Sequence, residues 1–247
     1  LKIIKFIQKF SWNYKFSKDE LKKYLKILKE ASKNYGSENI LVIIMNIYLY
    51  LKDYKNYFEY YMKCLNYNIL EYDYIDFTKF KLDDLLFAVS YIKQNLVIYD
   101  LNKDNYQTVI KGLIRNLFSE KLYEEITILA DNINYKKLNY LEFAFEIAFS
   151  LVERKRYEDA KKLYQEYIKK YPSNSSGLNN LGLIYEKSNK EEMALKYYNK
   201  ALKIDKDNTT IINNIKRCKE KIEVKKKQEE ISFKALEYLE NESFRMI

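Results

Sequence analysis

The side chains that could do acid–base or metal chemistry in this sequence are few and poorly spaced for it. There is no His, which removes the most common general base, metal ligand and near-neutral proton switch. Acids cluster at Glu71, Asp73 and Asp76, and again at Asp83 and Asp84. Each group lies among Tyr and Leu at helical spacing, so a solvated helix surface accounts for it better than a general acid–base pair. Cys64 and Cys218 are far apart and outside any CxxC arrangement. Neither zinc nor a disulfide framework is therefore expected, and both thiols are expected to be buried in a reducing compartment. No glycine-rich phosphate loop or GxSxG elbow occurs. We expect no cofactor, no metal and no enzyme activity; the residues suit a molecule that holds another.

The elements that would present such a surface are helices. The 247 residues include one Pro (Pro172) and four Gly, too little punctuation for a chain of short strands. That length fits one large domain or two small ones. The most apolar run, 40–51, is broken by Asn46 and falls short of the roughly 18 residues needed to span a bilayer. It reads as a buried helix. The chain opens on Leu1 and closes on Met246 and Ile247, from which we expect a cut or processed start and a piece of a larger protein; we expect that protein to be bacterial and cytoplasmic.

The formal charge is +9, but it is concentrated at the ends. Residues 1–36 carry ten Lys against three acids, and 203–227 carry nine basic and four acidic groups. Only five of the 44 basic residues are Arg, and Lys, Asn, Ile and Tyr are all abundant, as an AT-rich coding bias would produce. Nucleic-acid binding would need the two basic ends to converge on one stripe, which makes it the weaker expectation.

Self-similarity organises the chain. In 175–208, Leu178, Leu181, Gly182 and Tyr185 form one stripe of a first helix, and Ala194, Tyr198 and Ala201 one stripe of a second. Gly182 and Ala194 are small enough for the two backbones to approach closely, with Tyr185 and Tyr198 beside them. Stepping back 34 residues gives Ala144, Ile147, Ala148 and Leu151, then Ala160 and Tyr164, with Pro172 as a stop signal. Tyr167 stands where Ala201 stands in the next copy, so looser packing is expected there. Another step gives Ile110, Leu113, Ile114 and Leu117, then Ile126 and Ala130; Lys121, Leu122 and Tyr123 match Lys155, Arg156 and Tyr157 at the same offset.

These positions and residue types resemble the tetratricopeptide repeat, closely over 141–208, fairly over 105–140 and faintly upstream. Upstream, Ile44, Met45 and Tyr48 open a helix pair continued by Tyr57, Tyr61 and Cys64. A unit near 71–104 has a second helix (82–96), a poor first helix around 75–80, and an extended segment at 97–104. Ser17 to Glu20 carry an N-cap pattern, Gly36 a stop, and Leu21, Tyr24, Leu25, Leu28 and Ala31 a buried face. The resemblance implies an all-α fold: a right-handed superhelical solenoid of about six antiparallel helix pairs with a long C-terminal capping helix. Residues 1–207 would form the repeat domain, with degenerate repeats in 1–104 and clearer ones in 105–207. Residues 208–247 would be a cap or connector.

On that last helix Ile211, Ile215, Cys218 and Ile222 continue an apolar stripe, which Lys225 and Glu229 interrupt. From this we expect the helix to leave the body, and Phe233, Leu236 and Leu239 to meet a dimer partner or further domain. The resemblance also places a ligand face on the first helices: Lys111 and Arg115; Glu142, Phe145, Glu146 and Phe149; Ser176, Asn179, Asn180 and Leu183; with Asn213, Asn214 and Arg217 added by the last helix. Its carboxylate clamp for chaperone tails is missing, because Arg115, Glu146 and Asn180 stand where other residues are required. Paired Asn side chains can bond both N–H and C=O of an extended peptide, and Phe145 and Phe149 lie one turn apart. We therefore expect a protein- or peptide-binding scaffold, with the peptide-sensing half of a transcriptional or other regulator as the alternative.

Overall fold

The computed structural model describes residues 16–35, 38–70, 75–99, 104–132 and 143–245. Among these residues every regular element is a helix, and none is long and apolar enough to cross a membrane. The chain divides into two compact units, 1–143 and 144–247.

The N-terminal unit begins with α1 (Lys18–Tyr35). Its expected cap is present: the Ser17 hydroxyl accepts from the Glu20 amide at 3.2 Å, and the Glu20 carboxylate accepts from the Ser17 amide at 2.9 Å. Leu21, Leu25, Leu28 and Ala31 are buried; Gly36 lies outside the described residues. Helices α2 (Glu38–Leu51) and α3 (Tyr54–Asn66) form the next hairpin. The weak first helix of the following unit is a single 3-10 turn, Phe77–Lys79, whose N-cap Asp76 accepts from Thr78. Phe77 and Phe80 pack on Phe58 of α3, and α4 (Leu82–Gln94) follows. Residues 95–99 form a turn instead of the expected extended segment: the amides of Ile98 and Tyr99 both donate to the Asn95 carbonyl at 2.9 Å. Helices α5 (Asp104–Ser119) and α6 (Tyr123–Ala130) complete the described part, with Ile110, Leu113, Ile114, Leu117, Ile126 and Ala130 all buried.

In the C-terminal unit α7 (Ala144–Glu153) pairs with α8 (Tyr157–Lys170), α9 (Ser175–Lys187) pairs with α10 (Glu191–Ile204), and α8 also packs on α9. The contact on which the repeat depends is made. A Cβ added to Gly182 would lie 2.7 Å from the Tyr198 ring and 3.2 Å from the Ala194 carbonyl. The interior glycine, a cost of about 1 kcal/mol to a helix, is thus offset by a close backbone approach. Tyr167 corrects the expectation of looseness. A Cβ on Gly177 would lie 3.3 Å from its ring, so the following copy accommodates the large ring with a glycine. Helix α11 (Thr209–Arg245) seals the last pair by burying Ile211, Ile215 and Cys218 against Leu178, Tyr198 and Ala201. Both thiols are buried and free, as expected. Burial raises that of Cys64 to about 11, leaving it a poor nucleophile or ligand.

Four helix-to-helix turns share one backbone geometry. Lys52, Lys121, Lys155 and Asn189 have φ of 58°, 58°, 60° and 56°. The residue after each donates to a carbonyl five residues back: Asp53 to Tyr48, Leu122 to Leu117, Arg156 to Leu151 and Lys190 to Tyr185, at 2.8–3.0 Å. This is the Schellman closure of a helix C-terminus, made with lysine and asparagine where glycine is the usual residue. The last three turns are 34 residues apart.

Candidate functional site

In the C-terminal unit, the expected ligand-face residues of α7, α9 and α11 fall into two groups. The first is an amide ladder. Asn180 donates to the Tyr164 hydroxyl at 2.8 Å, Asn179 donates to the Asn180 Oδ1 at 3.4 Å, and Asn214 donates to the Asn179 Oδ1 at 2.9 Å. Three amides and one phenol from α8, α9 and α11 thereby hold each other in fixed orientation. Asn179 and Asn180 are half-buried and Asn214 is buried. Each amide still has bonding capacity beyond the ladder, since an amide offers two donors and two acceptor sites. Burial, with the Glu146 carboxylate as a lesser cause, raises the Tyr164 hydroxyl far above its ordinary range, so it stays neutral and can donate.

Beside the ladder lies an aromatic wall. Phe145 and Phe149 stack with centroids 6.5 Å apart. Phe145 also meets Tyr164 edge-on at 5.8 Å and Tyr167 at 6.0 Å. Phe145 thus packs against α8, and both Phe rings and Leu183 are half-buried and still present surface. Glu146 is half-buried and Ser176 exposed on the same two helices; Glu142 lies outside the described residues. In the N-terminal unit Lys111 is half-buried and Arg115 exposed on α5.

The second group is a charge lock that position-by-position reading missed. Glu186, with a side chain 2% exposed, accepts from Tyr198 at 2.7 Å, Arg217 at 2.8 and 2.9 Å and Lys221 at 2.7 Å. Burial alone would raise this carboxyl, but those hydrogen bonds override it and hold it down to about 2. One turn further along α11, Lys225 binds both oxygens of Glu191 at 2.7 Å and so lowers that carboxyl. Arg217, Lys221 and Lys225 therefore form one stripe of α11 turned toward α9 and α10. Arg217 anchors the last helix through its guanidinium, and Asn213 is exposed. Lys225, expected to break the apolar stripe and free the helix, instead continues the contact as an ion pair. Beyond it Ile231 and Phe233 are exposed at 68% and 70%; the Leu236 and Leu239 side chains lie outside the described ones. A usable signal existed: basic residues at i, i+4 and i+8 on a capping helix call for acids on the helices it caps.

Of the clustered acids of the N-terminal unit, Asp76 accepts from Thr78 and Asp84 accepts from the Lys81 amide; Glu71 and Asp73 lie outside the described residues. Among the described residues there is no group of His, Cys, Asp and Glu suited to a metal ion.

Comparison with known proteins finds the tetratricopeptide repeat at residues 175–208 and again at 143–174. No curated protein sequence matches. Solved structures that align with the chain include a MamA protein, 15% identical over 81% of this chain and 90% of that one, with a TM-score of 0.40. Another is YrrB, described as a TPR protein with an unusual peptide-binding site, 14% identical over 80% and 84%, TM-score 0.34. A MamA from Desulfovibrio magneticus RS-1 aligns at 10% identity over 84% and 96%, TM-score 0.30.

Proposed function

We propose, for a chain that belongs to the tetratricopeptide repeat family through residues 143–208 and is thereby a protein-interaction scaffold, that the first-helix face of its C-terminal unit holds an extended peptide segment of a partner protein and performs no catalysis. The observation that carries this reading is the ladder of Asn180, Asn179 and Asn214 braced by Tyr164 beside the Phe145 and Phe149 stack. Amides fixed in advance lose little conformational freedom when they bond a peptide backbone. The aromatic wall offers apolar area for one or two side chains of that peptide. Ser176 and Leu183 edge this surface, and Glu142, Glu146, Lys111 and Arg115 occupy the matching first-helix positions of the preceding copies. Engagement of Arg217, Lys221 and Lys225 by Glu186 and Glu191 draws cations out of the basic 203–227 segment, which favours a protein ligand over a nucleic acid.

The test is site-specific photocrosslinking in the native host. A crosslinking residue in place of Leu183 should yield discrete protein adducts, and one in place of the exposed Lys196 should not. The adducts should fade when Phe149→Ala and Asn180→Ala are combined with the Leu183 crosslinker in a variant that retains its helical circular dichroism. Equal adduct patterns at the two positions would remove this face from the account.

A further inference from the structure

The N-terminal unit carries a groove that neither the repeat pattern nor the first-helix face accounts for. It is a cavity of about 640 Å³ walled by α1, α3 and α4, with the start of α2 and the 95–99 turn at its ends. Its floor is Tyr60, 8% exposed. The Lys63 ammonium sits 4.5 Å from that ring's centroid and the Lys29 ammonium 5.7 Å; Lys29 also lies 5.1 Å from the Tyr48 ring. Lys63 is neutralised by Glu59. Among the described residues neither Lys29 nor Lys33, one turn apart on α1, is paired with an acid. Lys29, held over aromatic faces, and Lys33 thus line the groove as cations, with Glu38 also in the lining; a carboxylate would complete the two ammonium groups.

The end at the 95–99 turn is different in kind. Tyr91 and Tyr99 share a hydrogen bond of 3.0 Å between their hydroxyls. Tyr67 and Ile98 stand beside them 57% and 58% exposed, forming an apolar lip. Between the ends, Asn66 accepts from Tyr106 through its Oδ1 and Asn95 donates to the Tyr91 carbonyl. That leaves amide donors on Asn66 and an acceptor on Asn95 for a backbone passing over them.

We infer that this groove is a second docking site, and that it takes an acidic peptide segment with one large apolar side chain: carboxylates at Lys29 and Lys33, the apolar side chain on Tyr67 and Ile98. A nucleic acid fits less well, because the Lys29 and Lys63 ammonium groups already occupy the Tyr60 ring on which a base would stack. The site uses none of the residues of the face proposed above, and it stands or falls separately.

The experiment is a peptide array of mixed 12-residue sequences probed with the full chain. Three variants are probed alongside, each first checked for native circular dichroism: Lys29→Glu with Lys33→Glu, the charge-matched control Lys216→Glu with Lys219→Glu on α11, and Asn180→Ala. The wild-type chain should select Asp- and Glu-bearing peptides containing an aromatic or large aliphatic residue, binding them about tenfold more tightly than their Asn and Gln analogues. That preference should vanish in the α1 double variant and persist in the other two. The inference is overturned if acidic peptides are not preferred, if the preference survives charge reversal on α1, or if the α11 control abolishes it equally. It is also overturned if a mixed-sequence single-stranded DNA displaces the peptides at lower concentration than unlabelled peptide does.

Discussion

In the C-terminal unit the helix hairpin is narrow because Gly182 lies against the Tyr198 ring and the Ala194 carbonyl. In the N-terminal unit the helices are held by large rings: Phe58 against Phe77, Phe80 and Tyr91, Tyr48 against Tyr60, and Tyr99 against Tyr106. Yet both units turn from one helix to the next through the same left-handed residue and the same backbone hydrogen bonds, at Lys52 and Lys121 as at Lys155 and Asn189. The comparison separates two properties that repeat proteins usually show together. The backbone closure survives where the small-residue signature has gone, because closure needs only one αL residue and a carbonyl five positions before the next amide. Side-chain filling can vary with the space left over.

The largest effect should come from breaking the narrow hairpin. Gly182→Leu must displace the Tyr198 ring, which is fully buried and held at its hydroxyl by Glu186, so about 3 kcal/mol of stability should be lost. Gly112→Ala in the other unit meets Phe77 at 3.0 Å. Phe77 belongs to a short 3-10 turn, and the loss there should be clearly smaller in denaturant titrations of the two variants. Equal losses would mean that small residues do not distinguish the units.

Next in size is the charge lock. Glu186→Gln should cost about 2 kcal/mol, since hydrogen bonds to a charged group are replaced by weaker ones. It should also change the pH profile. The folded carboxyl sits near 2 against the usual 4.5, so between these values the unfolded state binds the extra proton. The contribution is complete above about pH 4.5 and is lost as pH falls toward 2. Thermal melts of the wild type should lose stability through that window more steeply than those of the Gln variant; parallel curves would show that Glu186 is not held as described.

The smallest effect should be a gain. Lysine in the left-handed region costs roughly 1 kcal/mol, and glycine adopts it freely at some expense in unfolded-chain entropy. Lys121→Gly and Lys155→Gly should each stabilise by about 0.5 kcal/mol, measured by chemical denaturation, with the same sign in both units. A gain at Lys155 with a loss at Lys121 would mean the shared turn is not shared.

The repeat at 175–208 was legible because Gly182, Ala194 and Tyr198 are residue types chosen by a close approach. The cap of α1 was legible because Ser17 and Glu20 answer each other locally. The turns were invisible because nothing in a lysine announces positive φ; tertiary closure imposes it. Tyr167 was misread because the small residue that makes room for it, Gly177, lies in the next copy and not in its own. The lock on Glu186 escaped because its cationic partners are 31 and 35 residues away, beyond the reach of helical spacing on one element. For the proposed ligand face, sequence reading supplied Phe145, Phe149, Asn179, Asn180 and Asn214. Tyr164, which orients Asn180, reads in the sequence only as part of the second-helix stripe with Ala160.

The central claim is that one hairpin closure recurs along the chain at 34-residue spacing in both units. Backbone φ at Lys121, Lys155 and Asn189, measured by NMR from the three-bond amide–α-proton couplings and intraresidue amide–α-proton NOEs, tests it most directly. The account predicts positive φ at all three, with helical values resuming by Ile126, Ala160 and Ala194. Negative φ at Lys121 together with positive φ at Lys155 and Asn189 would confine the repeat to the C-terminal unit and contradict the account.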